Sequence, residues 1–159
     1  MLSQFKGAVF DQHRVYRFML WRFWNDNPRA LFVGLNPSTA NEISDDPTIR
    51  RCISFAEKWG YGGMYFCNLY GYVSTNPKAL SNNEALHRAN IPAITMANSL
   101  SVISVIAWGD GLELVQNGRK VAEHIIELIE PCQCFGLTQK GNPKHPLYLP
   151  GDSRLMDYR

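Results

Sequence analysis

The sequence predicts an α/β fold: a three-layer sandwich around a central, mainly parallel four-stranded sheet, with short strands ahead of it. Three observations carry this. Residues 30–34, 64–69, 102–108 and 132–137 are continuous apolar runs, the pattern of strands covered on both faces. The segments between them have helical spacing, so strand and helix alternate and right-handed crossovers follow. Three of the runs stop at polar or glycine-containing turns, at Asn36, Asn68 and Gly109-Asp110. In an open α/β sheet such turns mark the edge where ligands bind.

Taken in order, residues 8–10 and 15–21 read as two short strands around a polar turn at 11–14. Asn25-Asp26-Asn27-Pro28 breaks the chain before the first core strand. That strand ends in Gly34-Leu35-Asn36-Pro37-Ser38, a sharp turn that lifts one amide off the sheet edge. Asp46 can cap a helix with Pro47 at its first position. Ile49, Cys52, Ile53 and Ala56 give that helix an apolar face, and Gly60 can end it. The second core strand ends at Asn68. Residues 83–100 read as a helix that Pro92 either starts or kinks. The third strand is stopped by Gly109-Asp110, and residues 121–129 are helical with Val121, Ile125, Leu128 and Ile129 on one side. After the fourth strand comes a long loop, 138–150, rich in Gly, Pro and Lys and holding His145. This loop leaves from the same edge, so two amides and one imidazole are expected to meet in one crevice.

Composition narrows the classes. A chain of 159 residues forms one domain, spanning 1–159, with a sizeable core. Hydrophobic residues at 45% and charged residues at 19% describe a globular chain, not a disordered one. Sixteen Lys and Arg against 14 Asp and Glu leave a net charge of +2, so any nucleic-acid partner has to be met by a local patch. No run approaches the about 18 apolar residues of a membrane span. Residues 1–7 hold no apolar signal segment, and a cytoplasmic location is expected. The four cysteines, Cys52, Cys67, Cys132 and Cys134, lack metal-site spacing and read as small buried side chains.

The ordered motifs resemble those of the uracil-DNA glycosylase superfamily. Gly34-Leu35-Asn36-Pro37-Ser38 is similar to the first motif in its Gly-x-Asn-Pro form. Phe66-Cys67-Asn68-Leu69 resembles the strand end whose Asn reads the base, and Val105-Ile106-Ala107-Trp108-Gly109 the later strand ending in Gly. His145-Pro146-Leu147-Tyr148-Leu149 resembles the second catalytic motif. Over nearly the whole chain the sequence also resembles a bacterial and phage domain-of-unknown-function family, DUF1643. This resemblance rests on Leu35-Asn36-Pro37-Ser38-Thr39-Ala40, Asp45-Asp46-Pro47-Thr48, Asn68-Leu69 and Gly141-Asn142-Pro143-Lys144-His145-Pro146-Leu147-Tyr148.

The glycosylase resemblance implies a uracil-DNA-glycosylase-like domain that hydrolyses the N-glycosidic bond of a flipped base in DNA and leaves an abasic site. In it, Asn36 positions the water, and His145 stabilises the departing base anion. Gly34, Leu35, Ser38 and Asn68 surround the base, with Asn68 reading its edge. Leu149 is the wedge that fills the gap left by the flipped nucleotide. Lys140, Lys144, Arg50 and Arg51 are candidate phosphate contacts, and Asp45 a contact to water or substrate. The branch specific for uracil has a Tyr where Ser38 stands, which closes the pocket against substituents at C5. With Ser38 the wall is open, and a C5-substituted pyrimidine, such as a hypermodified phage base met in anti-phage defence, becomes the expected substrate. The stacking Phe of those relatives has no counterpart here; Tyr70, Tyr72 or Phe55 are substitutes. No iron–sulfur cluster, metal or other cofactor is expected, and the protein is expected to act as a monomer. Two other classes use the same crevice: a hydrolase or transferase of free nucleosides or nucleotides, and a non-catalytic module that binds a modified base.

Overall fold

A computed structural model describes residues 5–85 and 89–159. Its strands are β1 (Phe5–Phe10), β2 (Arg17–Phe23), β3 (Arg29–Gly34), β4 (Gly63–Asn68), β5 (Ile103–Ile106), β6 (Gln133–Cys134) and β7 (Met156–Asp157). Its helices are α1 (Pro47–Lys58), α2 (Asn82–Ala85), α3 (Asn90–Ser99) and α4 (Gly118–Ile129). The strands form one seven-stranded sheet in the order β1-β2-β4-β3-β5-β6-β7.

The sheet is mixed. Pairings β3–β4, β3–β5 and β5–β6 are parallel, while β1–β2, β2–β4 and β6–β7 are antiparallel. The expected four-stranded sheet with accessory strands is therefore corrected to a single seven-stranded one. The reason lies in β2. It pairs with β4 along Leu20–Phe66 to Phe23–Gly63, and Arg17, Phe18, Met19, Leu20 and Arg22 are all buried. A strand with both faces covered is an inner strand, not an appendage. At the other edge, β6 has only two residues and is closed by β7, which has no apolar run of its own.

Alternation along β3 feeds two cores. Ala30 and Phe32 join Ile49, Cys52, Phe55 and Ala56 of α1, with Met64, Phe66 and Val105. Leu31 and Val33 face the other way, against Ile94 and Ala97 of α3 and Val121, Ile125 and Ile129 of α4. Helices thus cover both faces of the sheet. The cap of α1 is as expected: the Asp46 carboxylate accepts from Ile49 N–H at 2.9 Å with Pro47 in the first turn. Gly60 follows its end with φ of 86°. The expected helix over 83–100 is divided between α2 and α3, with Pro92 in the first turn of α3, where no N–H partner is needed. Its residues 86–88 lie outside the described residues. In α4, Leu128 leaves the expected apolar side and is 38% exposed. Among the described residues no helix is long and apolar enough to cross a membrane.

Candidate functional site

β3 hands the chain to α1 on one face, and β5 hands it to α4 on the other. Between two such strands the loops diverge, and a crevice opens beyond their carboxyl ends. A cavity of about 440 Å³ lies there. Asn36 follows β3, Asn68 ends β4 and His145 comes from the loop beyond β6; all three line this cavity. Gly34, Leu35 and Ser38 line it as well.

Three backbone carbonyls fix the orientation of Asn36. Its Nδ2 donates to Ser74 O at 2.7 Å, Pro37 O at 3.2 Å and Tyr72 O at 3.3 Å. Only an NH2 group is satisfied by acceptors on every side, so Oδ1 is the end left for a ligand. It accepts from no donor among the described residues and can hold a water through that water's hydrogen.

Asn68 is anchored from the opposite direction. Its Oδ1 accepts from Arg17 Nη2 at 3.3 Å. Arg17 comes from β2, is 2% exposed and also lines the cavity. Burial pushes its pKa down to about 10, against the pull of the Asp46 carboxylate, so it stays a cation at neutral pH. Gly34 makes room for this arrangement. A Cβ there would come within 2.9 Å of the Phe66 ring and 3.0 Å of Asn68 Nδ2.

His145 caps a short 3-10 turn, Pro146–Tyr148, its Nδ1 accepting from Leu147 N–H at 3.2 Å. A ring that accepts at Nδ1 carries its proton at Nε2 when neutral, and is then a donor at the far side. Burial holds its pKa below the ordinary imidazole value, opposed by the Asp46 carboxylate, so the neutral form prevails at pH 7. Asp46 itself lines the cavity beside its capping role. So does Asp110, held below the usual carboxylate range by the Thr138 hydroxyl and the Asn142 amide.

Other expected residues lie elsewhere. Asp45, the expected water or substrate contact, does not line the cavity; its carboxylate binds Arg22 Nε at 2.7 Å. Leu149, the expected wedge, is half-buried and packs against the α1 side of the core. Leu147 lines the cavity and Tyr148 is 89% exposed. Lys140, Lys144, Arg50 and Arg51 stay outside the cavity lining. Arg50 donates to Asp45 O at 2.9 Å, and Arg51 lies over the Phe55 ring. Tyr70 and Phe55 are buried in the two cores and Tyr72 packs against one, so none of the suggested stacking rings faces the cavity. Phe66 and Trp108 do. Phe66 was findable: two residues before Asn68 on a strand, it shares that side chain's face. Arg17 carried no such signal, because β2 read as a peripheral strand.

Residues 17–147 match the family described as Protein of unknown function (DUF1643). No curated protein and no solved structure matches the chain. The matched span runs from Arg17 on the cavity wall to Leu147 on its rim and takes in Asn36, Asn68 and His145, and the chain belongs to the DUF1643 family.

Proposed function

We propose that this protein is a monofunctional DNA glycosylase acting on a flipped, C5-substituted pyrimidine. The observation that carries the reading is the lining of one cavity by Asn36, Asn68 and His145, from three separate segments of the chain. The finer likeness, to the uracil-DNA glycosylase superfamily, is part of the proposal. It is supported by the motif order and by a site at the carboxyl edge of a sheet covered on both faces.

In the reaction the bond from C1′ to the base nitrogen breaks and its electron pair leaves with the base. A water oxygen bonds to C1′, and the water's proton ends on the departed base. Asn36 Oδ1 holds that water by accepting one of its hydrogens; an amide orients but does not take a proton. The Asp46 carboxylate is available in the lining to relay the proton. His145, neutral with its proton on Nε2, donates to the base carbonyl where negative charge builds up. Ser38 leaves the C5 side open. Phe66 or Trp108 supplies the apolar wall for the ring, and the exposed Tyr148 is the side chain suited to fill the gap in the strand. DNA is the partner, met by a monomer in the cytoplasm.

Mass spectrometry of bases released from uracil DNA, 5-hydroxymethyluracil DNA and hypermodified phage DNA tests this. The expected result is release of a C5-substituted base, with turnover falling about 100-fold or more in Asn36→Ala and His145→Ala while DNA binding persists. Exclusive release of unsubstituted uracil removes the C5 element. Cleavage of free nucleosides without action on DNA makes the protein a nucleoside hydrolase, and binding without turnover makes it a base-binding module.

A further inference from the structure

Among the described residues, three charged side chains line the cavity: Arg17, Asp46 and Asp110. With His145 neutral, one cation stands against two carboxylates, and the lining is net negative. Such a lining favours a ligand on which positive charge sits or develops. Asp46 is engaged on its own side, where it caps α1 and its charge raises the pKa of both Arg17 and His145. Asp110 is exposed and held differently. Its Oδ1 accepts from the Thr138 hydroxyl at 2.6 Å and from Asn142 Nδ2 at 2.9 Å, both neutral donors. Among the described residues its Oδ2 accepts from no donor, and no cation lies within ion-pair distance. Arg119, whose charge reaches it, is paired with Glu113. The tie to Thr138 and Asn142 does not itself need a charge, because an amide oxygen would accept both bonds. That tie fixes the carboxylate to the loop that carries His145. Asn142, 2% exposed, gives Glu113 Oε1 a further bond at 3.0 Å, and Gly109 N–H donates to Pro143 O at 2.8 Å.

We infer that Asp110 is a further catalytic residue, the fixed anion that steadies the sugar as positive charge spreads over C1′ and the ring oxygen. The inference rests on the glycosylase reading for the identity of that cation. When the bond from C1′ to the base nitrogen breaks, its electron pair leaves with the base, so base and sugar develop opposite charges. Neutral His145 serves the base. Asn36 is an amide and brings no charge to the sugar, so the anion has to come from another segment. Asp110 is one residue beyond the turn that ends the third core strand and lines the same cavity. It forms no bond to the sugar and takes no proton. Its charge is held in place by Thr138 and Asn142 before the bond breaks, so nothing has to reorganise as the cation forms.

The test uses two oligonucleotides that differ in one ring set in place of a nucleoside: a pyrrolidine, protonated at neutral pH, or a neutral tetrahydrofuran. The wild-type protein is expected to bind the pyrrolidine form about tenfold more tightly or better. Asp110→Asn keeps the side-chain length and an acceptor for both bonds, and is expected to lose the preference. Asp110→Glu keeps the charge and is expected to retain part of it. A purely structural tie gives the reverse order, because Asn preserves the tie and Glu does not. In turnover, Asp110→Asn is expected to lower kcat about tenfold or more, with binding of substrate DNA unchanged or tighter. Equal binding of the two rings by the wild type, or binding of neither, overturns the inference without needing any variant to fold. A preference that Asp110→Asn keeps also overturns it. Base release with an unchanged kcat in Asp110→Asn overturns it and leaves the glycosylase reading standing. A pyrrolidine preference that Asp110→Asn loses, without base release from any DNA, keeps Asp110 as the partner of a cationic ring and removes the glycosylase reading.

Discussion

Asn36 and Asn68 are both amides, yet their surroundings give them opposite free ends. Carbonyls hold the nitrogen of Asn36 and leave an acceptor; a guanidinium holds the oxygen of Asn68 and leaves a donor. Replacing Asn36 by Asp keeps the shape but points a carboxylate oxygen at the Ser74, Tyr72 and Pro37 carbonyls. Unpaired acceptors and a repelled charge are expected to destabilise the fold by about 3 kcal/mol. For a chain of this size that lowers Tm by about 6–12 °C, readable by circular dichroism. An unchanged Tm would show that Nδ2 is not held by these carbonyls. At His145 the consequence is pH dependence. The folded state holds the imidazole pKa below its ordinary 6.5, so as pH falls the unfolded chain takes up the proton first. Stability from this group is complete above about pH 6.5 and is lost as pH drops through the folded value. Protonating Nδ1 also breaks the bond from Leu147 N–H, so base release should fall in the same acidic window. His145→Asn keeps a capping acceptor without the titration, and its stability should lose this acid limb; an unaltered stability profile assigns the limb to another group.

Between elements, the loop from β3 to α1 is tied down by a pair the sequence could not display. Arg22 on β2 reaches across to Asp45, and its Nη2 donates to the Asn41 and Ser44 carbonyls of the same loop. Asp45→Ala leaves a buried guanidinium without its counter-charge, which costs about 3 kcal/mol or more. Arg22→Met combined with Asp45→Ala is expected to recover part of that loss. Urea unfolding of the four proteins of this cycle measures the coupling, and simple additivity would mean that the pair is not what holds the loop. The turn after β5 is similarly tight. Gly109 has φ of 71°, and a Cβ there would lie 3.0 Å from the Cβ of His145. Gly109→Ala should therefore lower stability by about 1 kcal/mol or more and weaken base binding together, because the new methyl presses on the Cβ that carries the imidazole. Sequence pattern revealed what local chemistry dictates: the Asp46 cap, the buried run of β3, and turns that lift Asn36 and Asn68 off the strand ends. It did not reveal which strands adjoin. Arg17 and Arg22 look like solvent-facing charges on a peripheral hairpin until β2 is seen beside β4. Asp45 looks free and Asp46 committed, whereas the cavity is lined by Asp46 and the ion pair takes Asp45.

At the scale of the molecule, β3 is the strand both layers share, with alternate residues feeding the α1 core and the α3–α4 core. Strand order carries the site as well, since the cavity exists only because the connections from β3 and β5 leave on opposite faces. Neither layer can then loosen without disturbing the other, and unfolding is expected to be a single cooperative event. The cysteines test this. Cys52 lies on the α1 side, and Cys67, Cys132 and Cys134 lie on the other; all four are free and buried. Burial pushes the Cys67 thiol up to about 12 and the Cys132 thiol to about 11, far from the reactive thiolate at neutral pH. A thiol reagent should label the native protein at least about a thousandfold more slowly than the unfolded chain. In increasing urea, Cys52 and Cys67 should become labelled along one curve, followed site by site through peptide mass spectrometry. Labelling of Cys52 at a lower urea concentration than Cys67 would mean that the α1 layer, with the Asp46 wall of the cavity, detaches first and that β3 does not bind the two cores into one unit.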